Sequence, residues 1–117
     1  MPDDAPPFSC KDHPSALNIS ARASRDAIVL AFSGEADAAA GPLLAHALTQ
    51  ATAYGHTRIA VDLADLEFID THCLSILFDT HEMLRELGGD LTLLSPQPPV
   101  RRLLDILDRQ DLIQLSA

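Results

Sequence analysis

The 117-residue chain has no tryptophan, one tyrosine, two cysteines and only eight basic residues. Each scarcity excludes something. Eight bases against 17 acids give a net charge of -9. No basic stripe is left to neutralise phosphates, which argues against nucleic acid as a partner. A basic protein surface suits this balance better. Cys10 and Cys73 form no CxxC pair and no disulfide framework, so a reduced, cytoplasmic compartment is the simpler reading. The opening stretch, MPDDAPPFSCKDHP, has neither the basic start nor the apolar run of a signal peptide. No apolar stretch is long enough to span a bilayer, so membrane insertion is not expected. The 47% hydrophobic content, rich in Ala and Leu, fits a globular, helix-containing domain of ordinary size.

The chain reads as one tail and one domain. Residues 1–15 hold four prolines and little apolar periodicity, and are expected to form a disordered acidic tail. Residues 16–117 form the domain. ALNISARAS alternates Leu17, Ile19 and Ala21 with Asn18, Ser20 and Arg22, as in a half-exposed strand. The short SRD then suits a hairpin turn into a second strand with Ile28, Val29, Leu30 and Phe32. Asp37 is placed to cap a helix near 40–53, with Pro42 in its first turn, Leu44, Ala47, Leu48 and Ala51 on one face, and Gly55 at its end. RIAVDLAD supplies a third strand through Ile59, Val61 and Leu63. A helix over about 71–87 turns Leu74, Leu77, Phe78, His81 and Leu84 inward, with His81 a hydrogen-bonded core histidine, and Gly88 stops it. DLTLLS is a fourth strand. A third helix near 97–107 has prolines at its front and Val100, Leu103, Leu104 and Leu107 facing in. DLIQLSA offers a short final strand. The order β-β-α-β-α-β-α, with that closing β, implies an α/β fold. It is a single mixed sheet of four to five strands with helices packed against it.

In such a sheet, partners meet the loops beyond the carboxyl ends of the strands. One such loop is FIDTHCL, where the third strand passes into the second helix. A helix start presents unpaired N–H groups and the positive end of the dipole. Asp70 is a strong N-cap there and Thr71 a second. The same end accepts an anion, and a phosphorylated Thr71 would add roughly -1.5 to -2 charge to it.

The ordered set of motifs resembles the STAS domain, the fold of bacterial anti-sigma-factor antagonists. FSGEAD (32–37) is similar to that family's Gly-Glu-Leu-Asp before the first helix. VDLADLEFID (61–70) resembles its strand and hydrophobic link into an Asp. DTHCLSIL (70–77) is similar to Asp-Ser-Ser-Gly-Leu-Gly-Val-Leu. LSPQPPVRRLLDIL (94–107) resembles its Ser-Pro, Val, Arg-Leu-Leu helix. The likeness runs from about Leu17 to the end of the chain. It implies a binding module and not an enzyme. The partner would be an anti-sigma factor that is also a protein kinase, and a phosphatase would reverse the kinase's action. By position, the phosphoacceptor is Thr71. Asp37, Asp70, His72, Cys73 and Ser75 fall on the partner-binding surface. No cofactor is implied. A second reading within the resemblance is an accessory subunit that never takes phosphate, for example beside the ATPase of a lipid-transport system.

His72 and Cys73 also invite an enzymatic or metal reading, since a thiol at a helix start can be reactive. Adjacent residues do not share a helix face, however, and no CxxC or HxxxH pattern completes a metal site. Neither catalytic nor metal-binding residues are therefore assigned. His13, His46 and His56 are scattered and read as surface. Arg101 and Arg102 open the third helix, where a stem can pack on the sheet or the pair can join a partner surface.

Overall fold

The computed structural model describes residues 16–24 and 27–114. The expected tail, Cys10 and His13 within it, and the turn residues Arg25 and Asp26 lie outside them. The elements are β1 (Ala16–Ala23), β2 (Ile28–Ala36), a 3-10 turn (Ala38–Ala40), α1 (Gly41–Ala53), β3 (Arg58–Ile69) and α2 (Thr71–Glu86). Then come β4 (Asp90–Leu94), α3 (Pro98–Ile106), a second 3-10 turn (Gln110–Leu112) and β5 (Ile113–Gln114).

The five strands form one sheet in chain order. β1 pairs antiparallel with β2, and every later pair is parallel. The hairpin closes through Ser24, whose N–H and hydroxyl both donate to the Ala27 carbonyl at 2.8 and 2.9 Å. Register aligns Leu30 with Val61 and Val61 with Leu93. These rows are buried, and Leu44, Leu48 and Ala51 of α1 and Leu74, Leu77 and Leu84 of α2 join them in one aliphatic core. Asn18 and Ser20, on the alternate positions of β1, are exposed.

β3 runs four residues past the expected Asp65. The reason lies in its pairing with β2. Between Ala31 and Ser33, and again between Gly34 and Glu35, β3 advances one residue more than β2. Each such bulge bends the strand and breaks strict alternation. Buried positions therefore step from Leu63 to Leu66 to Ile69, three apart, and Phe68 is turned to the surface at 47% exposure. A period of three is invisible to strict alternation, which on its own places the end of this strand at Asp65.

Other differences have equally local causes. Asp37 caps the 3-10 turn rather than α1, whose N-cap is Ala40, and its side chain makes no capping bond. α3 ends at Ile106, one residue before Leu107, which is 38% exposed instead of facing in. His81 is buried as expected, but its Nδ1 has no hydrogen-bond partner among the described residues. Pro42 does sit in the first turn of α1, and Gly55 and Gly88 end their helices at positive φ. Asp108 takes φ 57° after α3, a left-handed turn that Asp tolerates.

Candidate functional site

The carboxyl end of β3 and the start of α2 form a compact corner. Asp70 occupies it with extended backbone, φ -90° and ψ 171°, as an N-cap requires. Its carboxylate accepts from the Cys73 N–H at 2.8 Å and its carbonyl from the Leu74 N–H at 3.0 Å. Its own N–H donates to the Ala36 carbonyl at 3.0 Å, which ties the corner to the end of β2. Thr71 follows as the first residue of α2 and is exposed. It therefore stands where the unpaired N–H groups and the helix dipole meet solvent.

His72 and Ser75 are exposed beside it. The Ser75 hydroxyl donates to the His72 carbonyl at 2.7 Å, within the helix. The His72 ring lies over the first residue of α1. A Cβ on Gly41 would come within 3.0 Å of ring atoms Cδ2 and Nε2. Gly41 thus leaves room for that ring, a contact that sequence spacing alone does not reveal.

Cys73 is not on the surface. It is fully buried, and its thiol donates to the Asp37 carbonyl at 3.3 Å. This corrects its place among the partner-contacting residues. The signal was present in the sequence: 73, 77, 81 and 84 share one helical stripe, and all four are buried. Burial, and then the charge and hydrogen bond of Asp70 and the charge of Asp37, push the thiol pKa up from its ordinary 9.0 to about 12. Helix-start activation is overridden, so Cys73 is no nucleophile at neutral pH.

Two consequences follow for measurement. The folded protein should leave Cys73 unalkylated by iodoacetamide at neutral pH, and unfolding should expose it to the reagent. The raised pKa also gives stability a pH slope. Above about pH 9 the unfolded thiol loses its proton while the folded one keeps it. Stability from this group is therefore intact below pH 9 and falls as pH rises towards 12. Denaturant melts of the parent and Cys73→Ala should show a shallower alkaline decline in the variant. Equal slopes would contradict the assignment.

Asp37 completes the corner. Its Oδ1 is buried and has no hydrogen-bond partner among the described residues. Such a group costs about 1–3 kcal/mol. No group of three or more His, Cys, Asp or Glu able to hold a metal occurs among the described residues. No helix among them is long and apolar enough to cross a membrane.

The sequence pattern of the STAS domain matches residues 18–117. The chain belongs to the STAS domain family. The anti-sigma-B factor antagonist of Bacillus subtilis is 27% identical over 101 residues, covering 86% of this chain and 92% of that protein. An anti-sigma factor antagonist from Mycobacterium paratuberculosis superposes with a TM-score of 0.77 at 24% identity, over 87% of this chain and 86% of that one. The antagonist SpoIIAA in its unphosphorylated form gives 0.74 at 21%, over 87% and 89%. Those two structural likenesses establish the shared fold. The expected mixed sheet agrees with them. The relatives are named for the factors they antagonise and not for a reaction, in line with a STAS domain that binds rather than catalyses. Of the site residues read from the resemblance, Asp37, Asp70, Thr71, His72 and Ser75 gather at one corner, and Cys73 supports it from within.

Proposed function

We propose that this chain is an anti-sigma-factor antagonist. It engages an anti-sigma factor with protein kinase activity and is switched off by phosphorylation of Thr71. The observation that carries the reading is the exposed Thr71 at the first position of α2, directly after the Asp70 cap. A hydroxyl there is open to a kinase, and the helix start accepts part of the added charge. The carboxyls of Asp70 and Asp37 oppose that charge. Attraction and repulsion of similar size suit a reversible modification, because neither state dominates. The likeness to a curated antagonist over most of both chains supports the partner class, and SpoIIAA, which shares the fold, has been solved in unphosphorylated and phosphorylated forms.

The test is incubation with the kinases of the source genome and ATP, read by intact mass. One kinase should add the mass of a single phosphoryl group to the parent chain and none to Thr71→Ala. A phosphorylated Thr71→Ala would move the acceptor elsewhere. An unmodified parent with every kinase would leave Asp70 and Thr71 as a plain helix cap and favour the accessory-subunit reading.

A further inference from the structure

A second surface lies on the other side of β3's last residues. Phe68, Ile69, Pro99, Val100, Leu103 and Ile106 line a shallow pocket of about 290 Å³ with Arg102 at its rim. The β3 bulges create it by turning Phe68 outward. Phe68 is 47% exposed and Ile106 73%, although both are large apolar side chains. Exposed apolar groups clustered around a concavity and rimmed by charge mark an interaction site.

The charge says what kind. In a chain of net charge -9, Arg101 and Arg102 are both exposed on α3, and neither makes an ion pair or side-chain hydrogen bond among the described residues. Arg109 nearby is already held by Asp111 at 3.3 Å and lies over the Phe78 ring at 4.5 Å. Among the described residues, the Arg102 guanidinium that lines this pocket is thus left without an ion-pair partner, although Asp105 lies one turn along α3.

We infer that the Phe68–Ile106 pocket and Arg102 together bind an acidic amphipathic segment of a partner protein. One large apolar side chain of that segment would sit between Phe68, Leu103 and Ile106. A carboxylate one turn along it would meet Arg102, whose planar fork suits bidentate pairing. This contact is separate from Thr71 and does not need its phosphorylation state.

The test uses two synthetic helical peptides with the same Leu and Phe face, one with Glu and one with Lys on the polar face. Each is titrated into the full chain and followed by amide chemical shifts and fluorescence anisotropy. The net charge of the molecule favours the Lys peptide, so a preference for the Glu peptide at this pocket is a local property of the patch. The Glu peptide should shift the amides of Phe68, Leu103 and Ile106, and the Lys peptide should leave them in place. Arg102→Glu and Ile106→Ser change only exposed side chains and should each weaken binding of the Glu peptide about tenfold, or about 1.4 kcal/mol. Thr71→Glu should leave it unchanged. Unmoved pocket amides, or equal binding by both pocket variants and the parent, would overturn the inference. Loss of binding in Thr71→Glu alone would place the contact at the α2 corner instead.

Discussion

Thr71→Glu should reduce affinity for the cognate anti-sigma factor by at least about a hundredfold while leaving the fold as stable as the parent. The two halves of that statement have different causes. In the free protein the new carboxylate sits at an exposed helix start, where the dipole favours it by about 0.3–1 kcal/mol. The neighbouring Asp70 and Asp37 work against it. The net change in stability should stay within about 0.5 kcal/mol, as for most surface substitutions. In the proposed complex the same carboxylate would lose water beside the Asp70 carboxylate, which caps the same helix start. Like charges brought together at an interface cost several kcal/mol, and each 1.4 kcal/mol is a factor of ten. Thr71→Gln has nearly the same size without the charge and should bind within a few fold of the parent. Calorimetric titration of the three proteins against the anti-sigma factor separates charge from bulk. Equal affinity for the Glu and Gln variants would defeat the electrostatic switch.

The second large effect concerns stability. Gly88 and Gly89 are neighbours between α2 and β4, yet their replacement by Ala should cost different amounts. Gly88 takes φ 84°, and a Cβ there meets nothing within 4 Å. Ala at that position suffers only the left-handed backbone penalty of about 1–2 kcal/mol. At Gly89 an added Cβ would collide with the carbonyl oxygen of Thr57. That carbonyl cannot swing away, because it accepts the Asp90 N–H at 2.9 Å as β4 pairs with the start of β3. Relief requires the two strands to part. Overpacking costs about 1–3 kcal/mol and occasionally more, and a backbone clash belongs at or above the upper end. Urea unfolding should show Gly89→Ala losing about 3 kcal/mol, clearly more than Gly88→Ala. The reverse order would mean that the β3–β4 approach is looser than this structure has it.

Gly88 was legible as a helix stop, since LGGD follows a strong apolar stripe. Gly89 was not, because its role depends on a strand more than thirty residues earlier. The same division runs through the rest of the fold. The helices over 41–53, 71–86 and 98–106 follow from apolar spacing, proline position and glycine stops, which are local signals. The Asp70 cap was also local, one carboxylate three residues before the N–H it accepts from. What stayed hidden depends on neighbours. The β3 bulges need β2 to be seen. Cys73 is the exception, since its inward turn follows from the local stripe 73, 77, 81 and 84, which a position at a helix start obscures. Asp37 carries a cap-like residue type, but the chain inserts the 3-10 turn Ala38–Ala40 before α1 and leaves the Asp37 side chain without a capping bond.

The corner that bears Thr71 is fastened at two points. The Asp70 N–H reaches the Ala36 carbonyl at 3.0 Å, and the Cys73 thiol reaches the Asp37 carbonyl at 3.3 Å. Both bonds join the end of β2 to the start of α2. A surface fixed in this way has little conformational freedom left to surrender when a partner arrives, so association resembles the meeting of two rigid bodies. Under the proposed function, occupancy would then be governed by charge at the threshold and not by a change of shape. Free domains with and without a phosphoryl group on Thr71 should superpose, and the difference between them should reside in the electrostatic potential that an approaching protein meets.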